Sequence, residues 1–233
     1  MRNQPGSFKK AVEALRNCIE IGLKCGIRVT VTRRNYKEIP KLIDLSIQLK
    51  VPRFCLYWLV PSGRGKTLFE NQKLKSEEAL RLLDVLYTKA KKFDPEKMEI
   101  LTVDAPQDGV YILNRLAAEE SPEYENALSL LQSTGDSCSA GNRIANIDPS
   151  GNVYPCQFAQ MPELRIGNIK QRRFSEIWED EASPILSAFR NKVKNLKGKC
   201  RKCAYRELCG GGCRIRAYFQ YGDLWAEDPF CPF

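Results

Sequence analysis

Four thiols stand within the fourteen positions of "CRKCAYRELCGGGC", from Cys200 to Cys213, in a chain that contains no histidine. Cys138, Cys156 and Cys231 flank them. Such crowding calls for disulfides, zinc or iron–sulfur clusters. The start "MRNQPGSFKK" has no apolar core that would make it a signal peptide. No apolar run approaches the roughly 20 residues of a membrane span. The expected compartment is the cytoplasm, where thiols stay reduced, so the expected chemistry is metal binding. A structural zinc site takes four ligands, commonly two C-x2-C knuckles or a Cys/His mixture. Here one C-x2-C and seven cysteines leave three over, which gives iron–sulfur an edge over zinc and puts disulfides third. Gly210 to Gly212 read as a flexible turn that can aim Cys213 away from Cys209. Cys18, Cys25 and Cys55 lie in or beside apolar elements and read as small core hydrophobes.

The formal net charge of +9 raises the question of nucleic acid. Lys and Arg concentrate only in "RNKVKNLKGKCRK" (190–202), without the interleaved aromatics of a base-stacking platform. A solvated basic face is the expected reading, with no nucleic-acid partner. Two [4Fe–4S] clusters, each about −2 with four cysteinates, would lower the formal +9 to about +5, so part of the excess offsets buried anions.

Upstream, helical and strand patterns alternate. Phe8, Val12, Leu15, Ile19 and Leu23 mark one helix face, stopped by Gly26, and "IRVTVTRR" follows as a β-branched strand. Ile39, Leu42, Ile43, Ile47 and Leu49 mark a second helix before the strand "RFCLYWLV" (53–60) and the Pro-Ser-Gly-Arg-Gly loop at 61–65. Ser76 reads as the cap of a third helix with Ala79, Leu82, Leu83, Leu86, Ala90 and Phe93 inward, and "MEILTV" (98–103) as a third strand. This α-β alternation predicts a parallel sheet covered by helices, a slab with an open edge. Residues 106–133 read as helical, with a second start at Ser121-Pro122. Beyond 134, glycine, cysteine and short turns take over, which places the expected domain boundary there. "RIANIDPSGNVYPC" reads as a hairpin turning at Asp148-Pro149-Ser150-Gly151, which brings Cys156 towards Cys138.

The pattern C-x12-G-x4-C, C-x2-C-x5-C-x3-C, C-x17-C resembles the seven-cysteine SPASM domain of radical S-adenosylmethionine (SAM) enzymes, with all seven positions filled. "RNQPGSFKKAVEAL" is similar to the segment after the fourth barrel strand of that family, "GIRVTVTRRN" to its fifth strand and "RFCLYWLVPSGRGK" to its sixth. "LTVDAPQDGVYIL", "IANIDPSGNVYPCQF" and "LRIGNIKQRRFSEIWED" most resemble the tetrapyrrole branch, which includes the heme d1 synthesis enzyme and the didecarboxysiroheme deacetylase of the alternative heme pathway.

The resemblance implies an α/β fold: the C-terminal half of a partial (β/α)6 barrel over 1–133, followed by a small cysteine-rich SPASM domain over 134–233. It implies two auxiliary [4Fe–4S] clusters, the first on Cys138, Cys156 and Cys213, the second on Cys200, Cys203, Cys209 and Cys231. The first set is one ligand short, and Asp136, water or substrate are candidates for the fourth. The C-x3-C-x2-C triplet that holds the SAM-cleaving cluster is absent from these residues, so SAM and its own [4Fe–4S] cluster are expected only in a full-length enzyme. No catalytic residue is assigned. The implied partners are a tetrapyrrole, whose carboxylates the basic surface and Arg64 can hold, and a separate N-terminal half or an electron donor protein. The alternatives are a peptide- or protein-modifying relative and a cluster- or zinc-binding scaffold without catalysis.

Overall fold

A computed structural model describes residues 4–134 and 138–233, which form two compact units: Met1–Leu59 with Gln72–Val103, and Val60–Asn71 with Asp104–Phe233. These units follow packing, whereas the composition change near 134 follows cysteine and glycine content.

The first unit contains α1 (Ser7–Glu20), β1 (Ile27–Val31), α2 (Ile39–Gln48), β2 (Arg53–Trp58), α4 (Ser76–Ala90) and β3 (Glu99–Val103); the end of α3 (Gly65–Gln72) joins it at Gln72. The strands pair in parallel in the order β1-β2-β3, with Val29 opposite Leu56 and Leu56 opposite Thr102. β2 is central, with Phe54, Leu56 and Trp58 buried on one face and Cys55 on the other, as its near-continuous apolar run requires. Ile39 and Ile43 of α2 are fully buried, and Ala79, Leu82, Leu83 and Leu86 of α4 are nearly so. Each such leucine or isoleucine side chain contributes about 1.5–3 kcal/mol on removal from water.

Several local expectations shift. α1 ends at Glu20, because Gly22 rather than Gly26 takes the left-handed conformation (φ 72°) and Leu23 N–H returns to the Cys18 carbonyl at 2.8 Å. Its apolar face is not covered among the described residues: Phe8 is 63% and Leu23 56% exposed. Ser76 is the first helical residue of α4, and Glu78 supplies the cap, accepting the Lys75 N–H at 2.8 Å. Ala90 is exposed, so the inward face ends a turn earlier.

The second unit holds most of α3, then α5 (Gln107–Ala118), α6 (Tyr124–Thr134), β4 (Asn146–Ile147), β5 (Asn152–Tyr154), β6 (Gly167–Asn168), α7 (Phe174–Trp178), α8 (Pro184–Arg190), α9 (Lys192–Asn195), α10 (Gly198–Lys202), α11 (Arg206–Cys209) and α12 (Arg214–Tyr221). The β4–β5 hairpin turns where the Asp-Pro-Ser-Gly signal lies: Asp148 accepts the N–H groups of Ser150 and Asn152 at 2.8 and 2.9 Å. A third antiparallel strand, β6, adds to β5. Helix α3 was not legible in the sequence. Its Phe69 is 1% exposed and meets the rings of Phe219 and Phe230 at 5.7 and 5.8 Å.

Candidate metal centre

The hairpin delivers Cys156 two residues past β5. Cys156 and Cys213 belong to one buried apolar cluster with Tyr154, Phe189 and Ile215, and Cys138 packs against it. Burial pushes the Cys156 thiol up to about 12, and the neighbouring Cys213 and Cys138 push the same way. Cys213, at the N-terminus of α12, is also raised by burial, with Arg216 opposing. Asp136 lies outside the described residues.

A second neighbourhood forms around the short helices α10 and α11. Cys200, Cys203, Cys209 and Cys231 line a small, partly open cavity of about 20 Å³ together with Gln107 and Val110 of α5. Cys213 is not among its lining residues. Burial pushes Cys209 up to about 12, reinforced by Cys231. Cys200 is raised by burial while Arg214 opposes. Tyr205 ties the knuckle to α5 by donating to Asn114 Oδ1 at 2.6 Å.

What separates Cys209 from Cys213 is the run Gly210 to Gly212, all at positive φ (60°, 80° and 81°). The turn is specified by packing, which corrects the reading of it as flexible. A Cβ on Gly212 would lie 2.6 Å from Asp228 Oδ2, and one on Gly211 would lie 2.5 Å from Leu196 Cδ2. Only glycine fits.

A thiol this deeply buried resists ionisation until a cation receives the thiolate, so metal capture here releases protons. Four thiolates on one zinc would sit roughly 3.8 Å apart, given Zn–S bonds of about 2.3 Å at tetrahedral angles. Among the described residues no three Cys, Asp or Glu side chains close on one point in that way. Cys200, Cys203, Cys209 and Cys231 instead line a small cavity. The donor set fits an iron–sulfur group. All its members are sulfur, and buried cations stand near both neighbourhoods: Arg214 (1% exposed) opposes the burial of Cys200, and Arg216 (0%) that of Cys213. Gln107, 2% exposed, leaves Oε1 without a hydrogen-bond partner beside the four-thiol cavity.

These buried polar groups went unnoticed in the sequence. Lys192 falls in the stretch read as a solvated basic face, yet it is fully buried and donates to the Cys138 carbonyl at 2.8 Å. Arg214 donates to the carbonyls of Leu224 and Ala226 at 2.8 and 2.7 Å, and to that of Gly211. The one signal was position: "CRIRAY" and "EDPFC" set charges directly beside cysteines. Of the three remaining cysteines, Cys55 is a core residue at 5% exposure, whereas Cys18 and Cys25 are half-buried and hydrogen-bonded to each other.

Asp104 follows β3 with φ 72°, uncommon for a residue with a side chain, and its carboxyl is pushed up to about 6 by burial against the pull of Arg216. Among the described residues no helix is long and apolar enough to cross a membrane.

Residues 138–204 match the SPASM family model, an iron–sulfur cluster-binding domain. The chain is 34% identical to the Fe-coproporphyrin III synthase of Methanosarcina barkeri over 99% of its own length and 58% of that protein's. It is 34% identical to the pre-heme d1 synthase of Dinoroseobacter shibae over 97% of its length and 56% of that protein's. A PqqA peptide cyclase of a Methylobacterium species is 28% identical over 99% of the chain and 54% of that protein. The chain thus spans little more than half of these relatives. Among solved structures, Streptococcus suis SuiB bound to S-adenosylmethionine superposes with a TM-score of 0.67 at 20% identity, over 97% of this chain and 49% of that one. The shared fold is a partial barrel followed by a SPASM domain.

Proposed function

Because the chain belongs to the radical SAM/SPASM family, we propose that it forms the auxiliary-cluster and half-barrel portion of a radical SAM enzyme that modifies a tetrapyrrole in heme or heme d1 synthesis. The observation that carries the cluster reading is the sorting of seven thiols into two neighbourhoods, one around the Phe189 core and one around the Gln107 cavity. Cys138, Cys156 and Cys213 would hold one [4Fe–4S] cluster, and Cys200, Cys203, Cys209 and Cys231 the other. Bound clusters supply one-electron chemistry. Cys156, Cys200, Cys209 and Cys213 are buried, and the buried Arg214 and Arg216 would set positive charge beside the clusters. The tetrapyrrole assignment draws on the relatives named for Fe-coproporphyrin III and pre-heme d1.

A peptide substrate is the second reading, supported by the peptide cyclase among the relatives. Binding of iron-coproporphyrin against a SAM-enzyme precursor peptide, measured on the longest available form of the protein, separates the two.

The ligand division is tested by anaerobic reconstitution of Cys213→Ala and Cys231→Ala. The two variants are expected to lose different clusters, read by electron paramagnetic resonance and iron content. If Cys213→Ala and Cys200→Ala abolish the same cluster, a simple knuckle of Cys200, Cys203, Cys209 and Cys213 replaces the crossed assignment.

A further inference from the structure

One ion pair lies between the two groups of thiols. The side chains of Asp228 and Arg216 are both 0% exposed, with Arg216 Nη2 2.7 Å from Asp228 Oδ2. Oδ2 also accepts the backbone N–H of Cys213 at 2.7 Å. Oδ1 accepts the N–H of Phe230 at 3.0 Å, and the Asp228 carbonyl accepts the N–H of Cys231 at 2.9 Å. Asp228 therefore meets the backbone of a cysteine from each neighbourhood, Cys213 through its carboxylate and Cys231 through a main-chain turn that the carboxylate braces at Phe230. Arg216 adds a bond from Nη2 to the Asp104 carbonyl at 2.6 Å and lies over the Phe230 ring at 4.8 Å, while its Nη1 is buried without a hydrogen-bond partner.

A buried ion pair is a weak source of net stability, because desolvation of both ions cancels much of their attraction. Its cost is better explained by what stands beside it. Anionic clusters become more negative on reduction, and a fixed charge nearby shifts that equilibrium through a low-dielectric interior.

We propose that Asp228 and Arg216 are a positioning pair shared by both cluster sites, fixing Cys213 and Cys231 in register and setting the potentials of both clusters together. The proposal rests on the two-cluster reading above. Its signs are specific. Asp228→Asn keeps an acceptor for the Cys213 N–H but leaves the Arg216 charge uncompensated, which favours the more negative reduced state. Both midpoint potentials should rise. Arg216→Gln leaves the carboxylate uncompensated, and both should fall. Arg216→Lys keeps the charge and should stay near the parent. The double variant Asp228→Asn/Arg216→Gln is neutral at the site and should fall between the two singles.

The experiment is an anaerobic redox titration of the reconstituted full chain, each cluster followed by its own paramagnetic signal, with iron and sulfide counted for every variant. Opposite shifts in both clusters, or loss of iron from both neighbourhoods in a single variant, is the expected result. Shifts of one sign in both variants, or a response confined to one cluster, would overturn the proposal. A parent chain that fails to hold two clusters would overturn the functional reading instead, and the parent's iron and sulfide count shows which has failed.

Discussion

Gly212→Ala measures how tightly the turn between the two neighbourhoods is specified. Gly212 has φ +81°, and an added Cβ would sit 2.6 Å from Asp228 Oδ2, 2.7 Å from its Cβ and 3.0 Å from its Cγ. Contact with Cβ means that rotating the carboxylate does not relieve the clash. Gly222, at the other end of α12, is the matched control, with φ +69° and nothing within 4 Å of its added Cβ. Left-handed backbone costs a residue with a side chain about 1–2 kcal/mol, and both variants bear it. Only Gly212→Ala adds overpacking, about 1–3 kcal/mol. The expected loss is therefore about 1–2 kcal/mol for Gly222→Ala and about 2–5 kcal/mol for Gly212→Ala. If Asp228 is driven off Arg216 the loss moves to the upper end, because a buried charge is left without its partner. Urea unfolding of the anaerobically reconstituted proteins gives both numbers, with absorbance near 400 nm reporting whether the iron centres survive. Equal losses for the two variants, with unchanged spectra, would refute the claim that packing dictates this turn.

Asp104→Asn should stabilise the protein at neutral pH. Its folded pKa of about 6 lies above the ordinary 3.9 of an aspartate, so folding favours the protonated acid. The ionised form therefore costs stability, fully above pH 6 and progressively less down to about pH 4. About two units correspond to at most about 3 kcal/mol, so a gain of about 2 kcal/mol at pH 7 that vanishes towards pH 4 is expected. Asparagine tolerates the φ of 72°, and a loss of stability at pH 7 would contradict the argument. Iron removal should act unevenly, because α10 and α11, of five and four residues, are too short to persist alone, whereas the hairpin rests on the Phe189 cluster. Hydrogen exchange after anaerobic chelation should rise first across 198–209 and last across 146–156. Uniform loss of protection would mean that the unit has no metal-independent core.

The legible parts of this molecule were those decided by neighbours in sequence. The periods of α2 and α4, the apolar run of β2 and the Asp148 turn each rest on local physics, and the structure has them in place. Helix α3 begins on Gly65 and runs only eight residues, so its periodic signal is faint, and what buries Phe69 is a pair of rings some 150 residues away, Phe219 and Phe230. The strand β6 spans two residues, below what alternation can reveal.

The centre itself divides along the same line. Spacing alone groups Cys213 with Cys209, four residues earlier. In three dimensions three successive positive-φ glycines separate them, and Cys213 packs with Cys156 instead. The crossed ligand set itself is what the family resemblance implies, because its pattern records tertiary neighbours that spacing cannot. The charges were harder still. An arginine reads as surface unless something unseen makes burial tolerable, and here that something is acceptors and thiols gathered from distant segments. The alternation of a two-residue step on α12 sends Arg214 to the carbonyls of Leu224 and Ala226 and Arg216 to Asp228. One short helix thus places a cation near each group of thiols. Only the folded chain shows that these positive charges belong to the inside.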